Sequence, residues 1–594
     1  MNIQTTDFTD AAPDLSYWVA PDCHGMNFYR IDRGLQDLLT IYLPDDLREH
    51  LTPHFERLGE LAGKEIDDWA RQADKRDPIL HHRTPRGKLE DWIEFHPAYR
   101  NMEDVALGEF GFACMVHKPV LGWDKPMPHT AKYTFQYLFG QSEFGQLCPI
   151  SATETSATMI SLYGSDEVKA RFLPGLLSQD TKTMLKGAQF MTERTGGSDV
   201  SNIELEARWE DGEWRLYGEK WFCSCADGDV ALLLARPQGA PAGNKGIGLF
   251  ALPRRRDDGT RNDYRIVRLK DKLGSRSMAS GEIVFEGATA YALGDVGAHE
   301  NDGLKKMMTQ VSLSRLSHGV RAAAMMRRCL NEALTVAGYR RAFGETIIQK
   351  PLLRRQLMKL MVPTEQALSM SLYLGTQITK AEGGDQTAER LTRILTPAHK
   401  YRTARDNVRV ATGAMEVRGG NGFIEDWVNA KLVRDAHLGV LWEGTSNINS
   451  LDITTRAVAK VGAHRDLEAD LLAQIEGADD MPGQYRGELS NTVQLAMALA
   501  DEVGTSGNQT MARKASSAVY NAATATLLAT EGATLGGRGG DARRLLLSRM
   551  VLDHRMRPQD PLSVGEGAFD ARATDLLLSD APVSLDDASA ALTL

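Results

Sequence analysis

The spacing of apolar residues changes twice along this chain, and that change restricts the folds open to it. From about Asp46 to Leu177 apolar residues recur at intervals of three and four, which is typical of amphipathic helices. Between about Gly187 and Ala290 the interval becomes two, the period of a strand with one buried face. After Asn301 the helical interval returns. The order of helices, strands and helices predicts a mostly α protein with a central β-domain.

The β-segment contains a specific turn signal. Ile203, Leu205, Ala207 and Trp209 alternate with charged residues, and Asp211-Gly212 follows them. An Asp-Gly pair between two alternating runs predicts a tight hairpin. A His-, Arg- and Pro-rich stretch further upstream, "ILHHRTPRGKLEDWIEFHP", is expected to be a polar connection between helices.

The chain of 594 residues is longer than one hydrophobic core usually supports. We therefore predict four regions: an N-terminal helical domain over 1–185, a central β-domain over 186–292, a helical domain over 293–462 and a helical extension over 463–594. The stretch "EGADDMPGQYRGEL", where the helical spacing of apolar residues is interrupted, lies near the start of the extension.

Composition and charge exclude several classes of protein. No apolar run approaches the roughly 18 residues of a membrane span, so no membrane association is expected. The N-terminus "MNIQTTDFTDAAPD" lacks the basic start and apolar middle of a secretory signal, which makes a cytoplasmic location the expectation. Cys223 and Cys225 form the one close cysteine pair, and without a second Cys/His pair nearby, packing is favoured over zinc. The formal net charge of −10 argues against generic attraction to nucleic acid.

Two segments near the start of the β-domain carry candidate ligand-binding residues. They are "QFMTERTGGSDV", Gln189 to Val200, and "GEKWFCSCADG", Gly218 to Gly228. Glycines beside hydroxyl and backbone donors suit close approach to a flat, hydrogen-bonding ligand. Each segment alone is equally compatible with an ordinary turn or with strand core.

Together with four later segments, in the same order, these two resemble the acyl-CoA dehydrogenase family. The later segments are "KLGSRSMAS", "YRRAFGETIIQ", "AMEVRGGNGF" and "RDAHLGVLWEGTSNI". The resemblance covers residues 1 to about 450 and implies a helical N-terminal domain, a central β-barrel and a four-helix-bundle C-terminal domain. It also implies FAD held between the last two domains and across a subunit interface, hence a homo-oligomer, either a dimer or a tetramer.

The resemblance implies specific FAD contacts. Met191, Thr192 and Ser198 are expected to hydrogen-bond the flavin ring. Phe222 is expected to pack against that ring, and Ser224 to lie near its reactive N5–O4 edge. Arg340 and Phe343 are expected to contact the dinucleotide of a neighbouring subunit, and Gly419 and Gly420 to allow close backbone approach to it. Thr445 and Asn447 match positions near the flavin and its adenosine part. Pro351 and Glu416 stand where many family members have glutamine, so dinucleotide contacts there are not expected to follow the family.

The stretch "LWEGTSNINSLDI" contains Glu443, which the resemblance implies is the catalytic base. In the family this base removes the α-proton of a CoA thioester while the β-hydrogen leaves as hydride to flavin N5, giving a trans-2-enoyl-CoA. Some relatives carry the base on the helix of Arg315, but the neighbours here are Ser312 and Ser314, which leaves Glu443.

The resemblance also implies residues and partners around the substrate. Trp442, Gly444 and Arg315 are expected to bind it, although for Arg315 a helix-surface ion pair is an equal alternative. An electron-transferring flavoprotein is the implied electron acceptor. The length, branching or aromaticity of the acyl chain is left open, because the resemblance is weakest in the helices that set pocket depth.

Two further functions compete with dehydrogenation. Segments such as "CPISAT" and "RRLLLSRMVLDHRM" resemble the alkylation-response (AidB-type) branch, which is associated with DNA binding through a basic C-terminal domain. Residues 461–594, however, contain eleven Lys and Arg against nineteen Asp and Glu, a net of −8, so DNA binding is not expected. A local exception, expected to be a solvated or intersubunit face, consists of Arg538, Arg543, Arg544, Arg549, Arg555 and Arg557. A flavin oxidase or monooxygenase on the same fold is the third possibility.

Overall fold

The computed structural model describes residues 19–558, 560, 562 and 567–594. The N-terminal segment on which the expectation about secretory signals rests lies outside them. The N-terminal helices are α1 (Arg33–Tyr42), α2 (Asp45–Gly63), α3 (Glu65–Asp74), α4 (Pro97–Glu103), α5 (His129–Gly140), α6 (Leu147–Tyr163) and α7 (Asp166–Leu176). Helices on both sides of a β-rich middle confirm the predicted fold class.

The stretch expected to be a polar connection is instead an antiparallel hairpin of β1 (Ile79–Arg83) and β2 (Leu89–Glu94). Contacts with the β-domain hold it in place. The buried carboxylate of Asp91 lies 2.8 Å from an Arg261 guanidinium nitrogen and accepts a hydrogen bond from the backbone N–H of Ile266. These partners are some 170 residues away along the chain, so local sequence does not reveal the hairpin.

Five strands of the middle domain form a closed ring. The strands of this domain are β3 (Gly187–Phe190), β4 (Glu206–Glu210), β5 (Glu213–Ser224), β6 (Val230–Pro237), β7 (Gly248–Pro253), β8 (Tyr264–Leu269) and β9 (Ser280–Ala292). The ring runs β4–β5–β9–β7–β6 and closes through a parallel pairing of β6 with β4. Strand β3 bridges β5 and β6, and β8 adds to β9. The expected β-barrel is therefore confirmed.

The predicted hairpin joins β4 to β5. Trp209 pairs with Trp214 in the ladder, and Asp211 and Gly212 form the turn with φ of 51° and 82°. Two consecutive positive φ angles are characteristic of a type I′ turn, which matches the twist of the strands. Leu205 and Trp209 were expected on one buried face; Leu205 is buried, whereas Trp209 is 62% exposed near the end of its strand.

Long helices follow the barrel. They are α8 (Gly303–Tyr339), α9 (Pro351–Glu382), α10 (Gln386–Arg418), α11 (Val428–Leu438) and the short α12 (Ser446–Leu451). Between α8 and α9 lies a small hairpin of β10 (Arg341–Ala342) and β11 (Glu345–Thr346). The extension contains α13 (Ala463–Glu476), α14 (Gly483–Ser506), α15 (Ala512–Gly537), α16 (Arg543–Val551), α17 (Ala568–Leu577) and α18 (Leu585–Leu592). The division into four regions itself stays a prediction.

The arginine cluster of the extension is not the free surface that was expected. Arg544 is 3% exposed, and its guanidinium lies 2.8 Å from the carboxylates of Glu531 on α15 and Glu365 on α9. Two carboxylates removed from water require a counter-charge, so the expectation of a surface position is wrong for Arg544. The other members that pair with carboxylates of this chain are Arg543, Arg549, Arg555 and Arg557.

Neither a membrane span nor a metal cluster is found in the part of the chain that the structure describes. No helix there is long and apolar enough to cross a bilayer. No group of three or more His, Cys, Asp or Glu residues is placed to hold a metal ion among those same residues.

Candidate functional site

A cavity of about 950 Å³ lies where the barrel meets α8 and the segment between α11 and α12, a size typical of cofactor and substrate sites. Its walls come from the loop after β3, the end of β5, the loop between β8 and β9, and the first half of α8. The sequence-predicted residues that line it are Met191, Thr192, Ser198, Phe222, Ser224, Arg315, Trp442, Glu443 and Gly444.

One wall of the cavity suits a flat ring with polar edges. Phe222 is 52% exposed, which is unusual for an aromatic residue unless something packs on it. The hydroxyl groups of Thr192, Ser198 and Ser224 line the same cavity, and the structure gives them no hydrogen-bond partner among the residues it describes. A side chain at Gly197 would bring its Cβ to 2.9 Å from Thr192 Oγ1, so only glycine leaves this loop open.

Contacts with β5 hold the loop that carries Thr192 and Ser198. The backbone N–H of Trp221 donates to the carbonyl of Thr192 at 2.8 Å. The buried ammonium of Lys220 lies 2.6 Å from a carboxylate oxygen of Glu193. Burial lowers the pKa of Lys220, and the facing Glu193 carboxylate opposes that shift. The pair keeps the loop in register with the strand that carries Phe222.

The turn that contains Glu443 has an uncommon backbone. Glu443 has a φ of 53° and Gly444 a φ of 87°, and consecutive left-handed residues need support from their surroundings. Arg315 Nε donates to the Glu443 carbonyl at 3.1 Å, and Asn449 Nδ2 donates to the Gly444 carbonyl at 2.7 Å. The ammonium of Lys400 donates to that same Gly444 carbonyl. We call this segment, residues 442–445, the base turn.

Arg315 is a buried structural contact of the base turn as well as part of the cavity wall. Its Nη1 lies 2.7 Å from Asp452 Oδ2, so the expected ion pair exists, although the residue is buried rather than on the helix surface. Burial alone would raise the pKa of Asp452, but the guanidinium groups of Arg393 and Arg315 hold it below its usual range.

Among the carboxylates of the cavity wall, Glu443 is the one that is both partly buried and without an ion pair in the described part of the chain. The four acidic residues that line the cavity are Asp199, Asp271, Glu443 and Asp452. Asp452 is bound by two arginines, Asp199 accepts hydrogen bonds from Ser201 and Asn202, and Asp271 is exposed. Glu443 is half-buried and forms no ion pair in the described part of the chain.

The aromatic ring of Trp442 is fixed from behind by residues that sequence reasoning missed. Its indole N–H donates to His318 Nδ1 at 2.8 Å, and its ring stacks on Phe144 with centroids 5.7 Å apart. The Arg321 guanidinium carbon lies 5.1 Å from its centroid. Burial lowers the pKa of His318 well below its usual value, so the ring is neutral and can accept this hydrogen bond.

Two lysines near the cavity, the half-buried Lys272 and the buried Lys400, were also missed. Lys272 lines the cavity and donates to the carbonyls of Ser275 and Met278 at 2.7 Å each; burial lowers its pKa to about 8. It lies in the quoted segment "KLGSRSMAS", which offered a signal. Lys400, in contrast, sits in "TPAHKYRTARDN" on α10, where nothing distinguishes it from an ordinary helix-surface lysine.

The remaining predicted residues lie outside the cavity. They are Arg340, Phe343, Gly419, Gly420, Thr445 and Asn447. Arg340 and Gly419 are close together, since a Cβ on Gly419 would be 3.2 Å from Arg340 Nη1. Phe343 is 92% exposed at the tip of the β10–β11 hairpin, and Thr445 caps α12 by accepting from the N–H of Ile448.

Comparison with family models matches three consecutive parts of the chain. Residues 19–181 match the adaptive response protein AidB N-terminal domain, residues 188–288 the acyl-CoA dehydrogenase middle domain, and residues 301–458 the acyl-CoA dehydrogenase C-terminal domain. Together these models cover the helical start, the barrel and the helices after it.

Individual relatives and solved structures agree with these matches. The chain is 30% identical to the putative acyl-CoA dehydrogenase AidB of Escherichia coli K12, over 71% of this chain and 76% of that protein. It is 28% identical to acyl-CoA dehydrogenase family member 11 of Caenorhabditis elegans, over 72% and 70%. Among solved structures, Bd2924 in its apo-form has a TM-score of 0.77 at 30% identity, over 86% of this chain and 99% of that one. C. elegans ACDH-11 in complex with C11-CoA has a TM-score of 0.82 at 23% identity, over 93% and 95%, and shows a shared fold.

Proposed function

Because this chain belongs to the acyl-CoA dehydrogenase family, whose members depend on FAD, we propose that it dehydrogenates an acyl-CoA thioester to a trans-2-enoyl-CoA. The observation that carries the proposal is the position of Glu443, an unpaired carboxylate on the wall of the same cavity as Phe222 and the hydroxyls of Thr192 and Ser224. That combination would bring a proton acceptor and a surface suited to a flavin ring into one cavity.

The residues of this chain would divide the work as follows. Glu443 takes the α-proton of the thioester as a general base. Its own backbone N–H, which has no partner among the described residues, is available to the thioester oxygen as negative charge develops there. Met191, Thr192, Ser198, Phe222 and Ser224 would hold FAD, which would supply the acceptor for the β-hydrogen as hydride.

Trp442 has a separate part in this reaction. Its ring is anchored by the hydrogen bond to His318 and by Phe144, so it forms a rigid wall beside Glu443. A rigid wall limits the positions that an acyl chain can take near the base. Because the relative from C. elegans was solved with C11-CoA, acyl groups of about that length belong in the first set of substrates to be tried.

The residues outside the cavity support an assembled enzyme. Arg340 and Phe343 would meet the dinucleotide of a neighbouring subunit, and Gly419 and Gly420 would allow close backbone approach. Thr445 and Asn447 would lie near the flavin and its adenosine part. Such a site is complete only in a dimer or tetramer. Electrons would then pass from reduced FAD to an electron-transferring flavoprotein, as the family resemblance implies.

The proposal is tested by mixing the FAD-loaded protein with a panel of acyl-CoA thioesters in the absence of oxygen. A substrate should bleach the visible flavin absorbance in one rapid phase. The panel should include straight, branched and aromatic acyl groups, and the product should be identified as the 2-enoyl thioester. A protein that binds FAD stoichiometrically yet is reduced by none of these thioesters would contradict the proposal.

Replacing the base provides a sharper prediction. Glu443→Gln should retain FAD and acyl-CoA binding but lose at least ~100-fold in the rate of flavin reduction, the lower range for removal of a general base. The matched control is Asp271→Asn, an exposed carboxylate on the same cavity wall, which should reduce at nearly the original rate. Near-normal reduction in Glu443→Gln would assign the base to another group.

A further inference from the structure

Lys400 lies directly behind the base turn and has no acidic partner. It projects from the middle of α10, is 1% exposed, and donates to the carbonyl of Gly444. In the described part of the chain no carboxylate lies within ion-pairing distance of its ammonium. A buried ammonium without a paired carboxylate is costly, so its presence here needs a reason.

The two cations behind the base turn differ in how their charges are balanced. Arg315 is neutralised by Asp452, 2.7 Å away. Lys400 has no such partner, and the one acidic group whose charge acts on it is Glu443. Neither Lys400 nor Glu443 has an ion-pair partner in the described part of the chain, and Arg321 on α8 is another buried cation on which the charge of Glu443 acts.

We propose that Lys400 is a positioning residue that holds the base turn through the Gly444 carbonyl and supplies a positive charge that acts on the Glu443 carboxylate. The catalytic part of this proposal rests on the assignment of Glu443 as the base. Its electrostatic part, a coupling between Lys400 and Glu443, can be tested without substrate.

The hydrogen bond and the charge act on the same unit. Glu443 and Gly444 have positive φ angles, and the turn keeps this shape while Arg315 and Lys400 bind its two carbonyl groups. When Glu443 takes up a proton, the negative charge opposite Lys400 disappears. The charge of Lys400 is therefore expected to respond to the charge of Glu443.

The groups near Lys400 whose pKa values are shifted leave Lys400 itself as the one that titrates around neutral pH. From α8, Arg315 pairs with Asp452, burial lowers the pKa of Arg321, and burial lowers the pKa of His318 well below its usual value. On α10, burial lowers the pKa of His399 to about 3. Burial also lowers the pKa of Lys400 to about 7, an effect that Glu443 opposes and Arg315 reinforces.

The first experiment measures stability and needs no substrate. The folded pKa of Lys400, about 7, lies below the value of about 10.4 in an unfolded chain. Between these two pH values the unfolded chain binds the proton more strongly, so this group's contribution to stability rises with pH. The Tm of wild type minus that of Lys400→Met should therefore increase from about pH 6 to about pH 9.

Two variants complete the stability experiment. Lys514→Met, at an exposed lysine on α15, should show a Tm difference from wild type that does not change with pH. In a Glu443→Gln background, where Lys400 has lost its opposing charge, the pH-dependent rise for Lys400→Met should begin at lower pH. A pH-independent Tm difference for Lys400→Met, or no effect of Glu443→Gln on that rise, would overturn the coupling.

The second experiment separates charge from position during flavin reduction. Lys400→Gln keeps a hydrogen-bond donor for the Gly444 carbonyl but carries no charge, and Lys400→Arg keeps both. With an acyl-CoA that reduces the wild type, Lys400→Gln should move the pH midpoint of the reduction rate upward by ~1 unit, the lower range for losing a nearby opposite charge. Lys400→Arg should restore the wild-type midpoint.

These outcomes are distinguishable from failure of the proposed function. If no acyl-CoA reduces the wild type, the dehydrogenase proposal fails and the stability experiment still decides the coupling. If the wild type is reduced and the profile of Lys400→Gln superimposes on it, the role of Lys400 as counter-charge is wrong. Should Lys400→Met not fold, Lys400→Gln replaces it in both experiments.

Discussion

At the scale of single residues, the base turn joins two requirements that conflict in most sequences. Glu443 must present a carboxylate to the cavity, and its backbone must adopt a φ of 53°, which glutamate seldom does. The neighbours resolve the conflict, because Arg315, Asn449 and Lys400 all donate to carbonyl groups of this turn. A strained backbone that surrounding donors fix is a common property of functional sites.

Gly444 tests how much the turn depends on its backbone. Its φ is 87°, and an added Cβ would lie 3.1 Å from Asn449 Nδ2 and 3.2 Å from a methyl group of Ile448. Gly444→Ala should therefore lower the free energy of unfolding by about 1–3 kcal/mol, the range for a residue forced into a strained region. Urea unfolding followed by circular dichroism measures this.

The control for that substitution is Gly487→Ala on α14, where an added Cβ meets nothing within 4 Å. Alanine has a higher helix propensity than glycine, so this variant should be as stable as wild type or more stable. Equal unfolding free energies for both variants would show that the base turn is not strained.

The sequence indicated the residues of the base turn but not the residues that support it. Trp442, Glu443 and Gly444 belong to one recognisable segment, and the structure places all three on the cavity wall. His318 and Lys400 support that segment from α8 and α10, more than 40 residues away in each case. Such support depends on which helices become neighbours, and no local pattern encodes it.

At the scale of elements, the spacing of apolar residues predicted helices and strands reliably. It did not predict elements that are held by contacts with distant parts of the chain. The Asp-Gly turn between β4 and β5 was predicted because its geometry is determined locally. The β1–β2 hairpin was not, because Asp91 joins it to Arg261 and to the strand of Ile266 in the barrel. The length of the helical pattern after Asn301 likewise predicted long helices but not their order of packing.

The β10–β11 hairpin carries the clearest sign of an intersubunit role. Phe343 has a φ of 54° and is 92% exposed, so a bulky aromatic side chain is held in a strained turn without burial in its own chain. Phe343→Asn should be tolerated by the fold, because asparagine is favoured in such turns. It should nevertheless reduce both oligomer mass and FAD content, since a neighbour would lose its contact.

Light scattering during size-exclusion chromatography and the ratio of flavin to protein absorbance measure these two effects. Leu495→Ser on α14, which also replaces an exposed apolar side chain, is the matched control and should change neither. An unchanged mass and an unchanged flavin ratio in Phe343→Asn would remove the hairpin from the dinucleotide site.

At the scale of the whole molecule, the extension is part of the main body rather than an appendage. Arg544 on α16 joins Glu531 of the extension to Glu365 on α9, and the hydroxyl of Tyr42 on α1 donates to Glu531 at 2.7 Å. Composition did not indicate that charges of the extension are buried against α1 and α9. A surface assignment based on residue type alone fails for arginines of this kind.

This arrangement bears directly on DNA binding, which the AidB-type resemblance favours and the charge of the extension opposes. Arginines that already pair with carboxylates of their own chain present little net charge to phosphates. Arg538 remains exposed, whereas Arg543, Arg549, Arg555 and Arg557 each have an acidic partner. We therefore predict duplex DNA binding at about 150 mM salt no tighter than the non-specific range of about 10⁻⁴ to 10⁻⁶ M.

The variant used to test that prediction has to avoid Arg544. Its loss would remove the guanidinium that neutralises the buried Glu531 and one of the two that neutralise Glu365, which would impair folding rather than DNA contact. Arg538→Glu with Arg557→Glu reverses charge at exposed positions of the same cluster. Fluorescence anisotropy with a labelled duplex at several salt concentrations should give equally weak binding for wild type and variant, with flavin reduction unaffected. Binding of DNA to a basic groove weakens steeply with salt, because neutralised phosphates release counterions in proportion to the arginines that contact them. Sub-micromolar binding by the wild type that shows this salt dependence and disappears in the variant would therefore establish a basic groove assembled from this cluster.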